Sequence, residues 1–145
     1  GPDEEAFSRV EPEFKEKVEF LSRERLLEME ETEVSAFVKN QVGEYPLYIS
    51  IDKDVLCETD ADTNWSQGDM RLSTMLECLG AVKEKCAERI SRILGVDICG
   101  ECDVTEPGNS ALNDMANAAL LEFFTSTDVG EDIEENKNGT TGGNG

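Results

Sequence analysis

Tyr48-Ile49-Ser50-Ile51-Asp52-Lys53-Asp54-Val55-Leu56 decides how this chain is read. The turn residues Gly43 to Pro46 lead into it, and Leu47 to Ile51 has the apolar, β-branched character of a buried strand. The strand delivers two carboxylates, Asp52 and Asp54, at i and i+2, a spacing that puts both on one strand face. Lys53 then points to the opposite face. Two like charges at the end of an apolar strand repel one another and lose hydration, so they need compensation. A divalent cation or a pair of them supplies it, and hard carboxylate oxygens suit manganese or magnesium. The plainer alternative is two solvated aspartates in a strand-to-loop turn.

Working outward, Lys17 to Leu21 suits a short strand, and Ser22 is an N-cap for a helix from Arg23 to Met29. Thr32 is expected to cap a second short helix with Val34, Phe37 and Val38 on one face. Cys57 to Asp69 is a long polar loop. Beyond it Ser73 is expected to cap an amphipathic helix carrying Met75, Leu76, Leu79, Val82, Cys86 and Ile90 at helical steps. The run Ile93 to Ile98 reads as a central parallel strand, and Glu106 to Ser110 as a turn. A closing helix, Leu112 to Phe124, follows. From Ser126 onward Gly, Asn, Thr and acidic residues dominate, the composition of a disordered tail. The expected organisation is an irregular segment 1–16, an α/β unit over 17–125 and a tail, 126–145.

The order β-α-β-α-β-α predicts a parallel sheet with flanking helices and right-handed crossovers. Successive crossovers in one direction put their helices on one face. The other face and an edge are then bare, so more protein, an N-terminal half or an oligomer partner, is expected to cover them.

Composition bounds the function. One domain, or part of one, fits 145 residues, and 38% apolar residues suffice for a core. A formal charge of −20 and a pI near 4.1 argue against nucleic acid and anionic membranes as partners. The acidic surface is compatible with a cationic substrate, though acidity more often serves solubility. There is no long apolar run and no signal-peptide pattern at the start. The five cysteines fall in or beside core elements, which fits reduced thiols in a cytoplasmic protein.

Other motifs carry less. Cys99-Gly100-Glu101-Cys102 is a Cys-x-x-Cys, but a further turn separates it from the next helix, and zinc would need two more ligands. Asp60-x-Asp62-x-Asn64-x-Ser66 imitates a calcium loop and then fails, with Trp65 and Arg71 where Gly and Glu are needed. Thr63, Asn64 and Trp65 nevertheless spring from the carboxyl end of a parallel strand, where α/β proteins bind ligands, which makes Asn64 a candidate substrate contact. Asp97 suits a structural hydrogen bond.

Ser50-Ile51-Asp52-x-Asp54-Val55-Leu56 resembles the second metal-binding segment of the arginase (ureohydrolase) family, and the order of elements from Leu47 to Phe124 is similar. Lys53 and Cys57-Glu58 depart from the family pattern, so the resemblance is to a divergent, arginase-like branch. It implies part of a three-layer α/β/α fold. It also implies two Mn(II) ions in the full-length protein, with Asp52 and Asp54 among their ligands, activating water against the carbon of a guanidinium or related cationic small molecule. Glu101 takes the place of an acidic residue that contacts such a substrate. The upstream His and Asp ligands of the family are absent and the chain has no histidine, so it is read as the C-terminal portion, inactive alone. The alternative is a non-catalytic α/β binding or scaffold domain that has lost the metal site.

Overall fold

The computed structural model describes residues 8–64, 66–89, 92–103, 105 and 110–126. The expectations for Trp65, for the turn at Glu106 to Asn109 and for the tail beyond Ser126 lie outside these residues. The described elements are α1 (Pro12–Lys15), α2 (Arg23–Glu28), α3 (Glu31–Gln41), β1 (Leu47–Asp52), a 3-10 turn (Lys53–Val55), α4 (Leu72–Arg89), β2 (Ile93–Cys99) and α5 (Ser110–Thr125). The mixed α/β class is therefore correct.

The first strand is not. Lys17 to Leu21 forms no strand: it pairs with neither β1 nor β2, and Val18 and Phe20 stay about half exposed. The N-terminal segment is not wholly irregular either, since Pro12 opens one helical turn. Ser22 caps α2 as expected, accepting from the Arg25 amide at 3.2 Å. α3 starts earlier than Thr32 suggested. Glu30 and Glu33 close a reciprocal capping box around its first turn, and a carboxylate there also favours the positive end of the helix dipole.

β1 and β2 pair in parallel, with Ser50 opposite Asp97 and Asp52 opposite Cys99. The period-two alternation sorts their side chains. Ile49 and Ile51, with Val96 and Ile98, face the core; Tyr48, Ser50 and Asp52, with Asp97 and Cys99, face outward. Met75 and Leu79 of α4 and Ala116 and Leu120 of α5 complete that core. α3 packs on α4, where Lys39 meets Glu84 at 2.6 Å. Lys83 of α4 donates to the Phe123 carbonyl at 3.0 Å and lies over its ring.

Among the described residues the helices that build the core cover one sheet face, as the crossover argument requires, and the other carries exposed Tyr48 and Leu94. β1 and β2 thus each have one strand neighbour among the described residues, so the run Ile93 to Ile98 is not the central strand expected of it. No helix of the described residues is long and apolar enough to cross a membrane.

Candidate functional site

The site begins where β1 stops. Asp52, the last strand residue, accepts the Asp54 amide on Oδ1 at 3.0 Å and so N-caps the 3-10 turn. Strand alternation therefore does not carry through Asp54; the turn re-aims it. The carboxylates converge nevertheless, and Gly100 reports where. This residue follows β2 with φ +84°, and a methyl group built on it would lie 2.9 Å from Asp54 Oδ1 and 3.0 Å from Asp52 Oδ1. Only glycine holds that left-handed conformation cheaply while leaving room for two carboxylates. Asp54 Oδ1 is buried and has no hydrogen-bond partner. An orphaned buried carboxylate oxygen beside a second carboxylate is a donor set that fits a hard cation. It is half a coordination shell: among the described residues no group of three or more His, Cys, Asp or Glu side chains is placed to hold a metal ion.

Lys53 turns the other way, as expected, but it is no solvent-facing bystander. Its side chain is fully buried. The ammonium donates to Glu101 Oε1 at 2.5 Å and to Asn117 Oδ1 of α5 at 2.8 Å, and Asn117 Nδ2 donates to the same Glu101 oxygen at 3.1 Å. Partial burial works to raise the Glu101 pKa. The hydrogen bonds from Lys53 and Asn117 and the ammonium charge outweigh it, and the carboxyl lies below its ordinary range. The carboxylate assigned to a cationic substrate is thus already bonded to a cation of the chain itself, through one oxygen. Its side chain remains 56% exposed.

The loop after the turn is held from three sides. Gly68 lies so close to Val55 that an added methyl group would sit 2.0 Å from its carbonyl oxygen. That contact lets Met70 bond the backbone of Val55 and Cys57. Asp60, not Ser73, receives the first amide of α4, at Leu72 N, 2.8 Å away, and also meets Arg71 at 3.0 Å. Burial works to raise Asp60, but this amide, Cys57 and Arg71 lower it on balance. Asn113 of α5 is buried and brackets Asp62, accepting its amide at 3.0 Å and donating to its carbonyl at 2.6 Å. Asn64 is exposed on this loop.

Ser50 donates to Asp97 Oδ1 at 2.7 Å, the structural hydrogen bond expected of Asp97, though on the exposed face and not inside the core. The five cysteines are free. Cys99 does not line the core. It is exposed opposite Asp52, where desolvation first, and then Asp52, Asp97 and Asp54, push its thiol up. A thiol held protonated is a poor nucleophile, which counts against redox chemistry there.

Two grooves flank the site. One of about 350 Å³ runs along β1 from Ile49 to Asp52 and on to Val55 and Met70. A larger one of about 870 Å³ lies among Leu21, Leu26, Leu27, Val34 and Met70, and neither Asp52 nor Asp54 lines it. The larger is an apolar recess between helices; the smaller adjoins the chemistry.

Sequence reading gave the outward turn of Asp52 and the opposite, inward turn of Lys53. It missed Gly100 as the residue against which the carboxylates close, and Asn117 as the third member of the lysine network. The Gly after an apolar strand in Cys99-Gly100-Glu101 was the available signal for the first. Asn117, flanked in sequence by Ala116 and Ala118, gave none.

No family model matches the chain, and no solved structure matches it. Over 85 residues it is 35% identical to an uncharacterized protein of Thermotoga maritima, an alignment covering 57% of this chain and 32% of that protein. The chain thus spans about a third of the length of the curated relative it matches.

Proposed function

We propose that this chain is the carboxylate-bearing portion of an arginase-like, metal-dependent hydrolase of C–N bonds, and that Asp52 and Asp54 are metal ligands. The observation that carries the reading is the unpartnered, buried Asp54 Oδ1 lying with Asp52 Oδ1 against Gly100. When bound, Mn(II) supplies Lewis acidity and lowers the pKa of water at neutral pH. The residues of this chain hold the cation, keep the strand ends together and border the substrate. Lys53 and Asn117 both engage Glu101 through Oε1, so the half-exposed Glu101 offers Oε2 to a guanidinium or related cationic group. Asn64 is a second contact from the loop.

A metal-loaded centre needs ligands beyond two carboxylates, and the chain has no histidine. The complete polypeptide that carries this segment is therefore the species to assay. With Mn(II) it should release ammonia or urea from a guanidinium or amidine substrate, and Asp52→Ala or Asp54→Ala should abolish this. The 145-residue chain alone should show no turnover. Metal-independent turnover, or turnover unaffected by Asp52→Ala, overturns the proposal.

The competing reading, a non-catalytic α/β binding or scaffold domain, draws on the same absence of histidine and on the internal Lys53–Glu101 pair. It requires that the complete polypeptide neither binds Mn(II) nor hydrolyses these substrates.

A further inference from the structure

We propose that Lys53 is the positioning residue of the Asp52–Asp54 pair, acting through Glu101 and Gly100; this rests on the metal reading of that pair. Lys53 sits between the two aspartates in sequence and on the opposite side in space. Its ammonium ties three separate pieces of chain: the turn after β1, the segment after β2 at Glu101, and α5 at Asn117. Glu101 is bonded in sequence to Gly100, and Gly100 is the residue that closes on both carboxylates. Fixing Glu101 therefore fixes its chain neighbour Gly100, and Gly100 sets how near the two aspartates can stand.

Stability alone is a poor reason to keep this lysine. Burying an ammonium and freezing a long side chain both oppose folding, and an apolar side chain of similar volume often serves a core as well. A buried cation next to a cation site also works against metal binding by charge. What Lys53 supplies that an apolar residue cannot is a directional tie from one strand end to the other. Residues behind a metal site, which orient ligands without touching the ion, have large effects on its affinity.

Charge and position predict opposite signs, so the test separates them. Mn(II) is titrated into the isotopically labelled complete polypeptide that carries this segment, and paramagnetic broadening of the Asp54 and Gly100 amides is followed by NMR. Lys53→Met removes a positive charge, and electrostatics alone would tighten Mn(II) binding. Lys53→Met combined with Glu101→Gln removes the ion pair with no net charge change, and electrostatics alone would leave binding as it was. Positioning requires both variants to weaken Mn(II) binding by about tenfold. It also requires the Gly100 and Asp54 amide resonances to move in the metal-free spectra. Arg23→Gln with Asp69→Asn, which deletes an exposed ion pair elsewhere, should leave binding unchanged.

Tighter binding in Lys53→Met, or wild-type affinity in the double variant, overturns the proposal while the metal reading stands. Where Mn(II) broadens neither amide in the wild type, it is the metal reading that fails, and the metal-free spectra decide positioning. Displaced Gly100 and Asp54 resonances in the double variant support it; unmoved ones overturn it. Thermal unfolding accompanies each variant, and the double variant, which leaves no unpaired charge, decides should Lys53→Met alone not fold.

Discussion

Replacing Gly100 by alanine tests the geometry of the site at its narrowest point. The φ of +84° lies where an L-residue with a Cβ loses about 1–2 kcal/mol. The new methyl group would also meet Asp54 Oδ1 at 2.9 Å, Asp52 Oδ1 at 3.0 Å and the Asp54 backbone nitrogen at 3.0 Å. The carboxylates can swing away, but the backbone nitrogen cannot. As Asp52 swings it gives up its hydrogen bond from the Asp54 amide, worth about 0.5–1.5 kcal/mol. The sum is a destabilisation of about 1.5–3.5 kcal/mol.

Urea unfolding of the 145-residue chain measures it, with Gly43→Ala as control, since an added methyl group there meets nothing within 4 Å. The substitution has a second consequence. A ligand at ten times its dissociation constant stabilises the native state by about 1.4 kcal/mol, so Mn(II) at that concentration should raise the stability of the wild-type complete polypeptide by this amount. It should raise that of Gly100→Ala by far less, because the two oxygens no longer converge. Equal stability of the two alanine variants would refute the backbone argument. Equal Mn(II) stabilisation of wild type and Gly100→Ala would refute the convergence argument.

Four further outcomes follow from the contacts. Glu101→Ala strands the buried ammonium of Lys53 and should cost about 2–3 kcal/mol in urea unfolding, below the roughly 3–5 kcal/mol of a fully buried pair because water reaches the half-exposed carboxylate. Asn113→Ala leaves both backbone groups of Asp62 unpartnered and should cost about 1–3 kcal/mol, with faster amide exchange confined at first to the loop. Leu120→Ala empties a site that is 0% exposed, so calorimetry should show a loss of about 2–5 kcal/mol. Asp60 and Glu101 both titrate below their unfolded values. Their stabilisation is therefore full above the unfolded values of about 4 and is lost as pH falls through the lower folded ones. Asp60→Asn should make the stability profile flatter below about pH 4 and leave its slope at neutral pH unchanged.

Much of the fold was legible because the signals were local. The apolar runs at Leu47 and Ile93 became β1 and β2 within a residue of their expected ends, and the periodic run from Met75 became α4. Ser22 capped as its chemistry dictates. The errors share a cause. Lys17 to Leu21 has strand composition, but a strand is made by its pairing, and among the described residues it pairs with neither β1 nor β2. Thr32 and Ser73 are good cap residues that lost to carboxylates: Glu30 in a local box with Glu33, and Asp60 reaching from twelve residues upstream of Leu72. The first is visible in sequence to a reader who lets glutamate cap. The second is a tertiary contact, and spacing does not reveal it.

The site shows the same division. Alternation gave the outward turn of Asp52 and the inward turn of Lys53, and that much is covalent geometry. It gave the wrong reason for Asp54, which joins Asp52 through a side-chain cap that ends the strand. The fate of Lys53 was beyond any local rule, since both its partners come from elements some fifty to sixty residues away, Glu101 and Asn117. An unusual lysine between two acids looks like a defect when only the acids are read as a motif. In three dimensions it pairs with a third acid, Glu101, and leaves the first two to face one another. The Asp-Lys-Asp run thus separates its acids from its base: Lys53 is matched by Glu101, and Asp54 Oδ1 keeps no hydrogen-bond partner. The proposed cation site needs that separation, because a lysine free to reach Asp52 or Asp54 would fill the place itself.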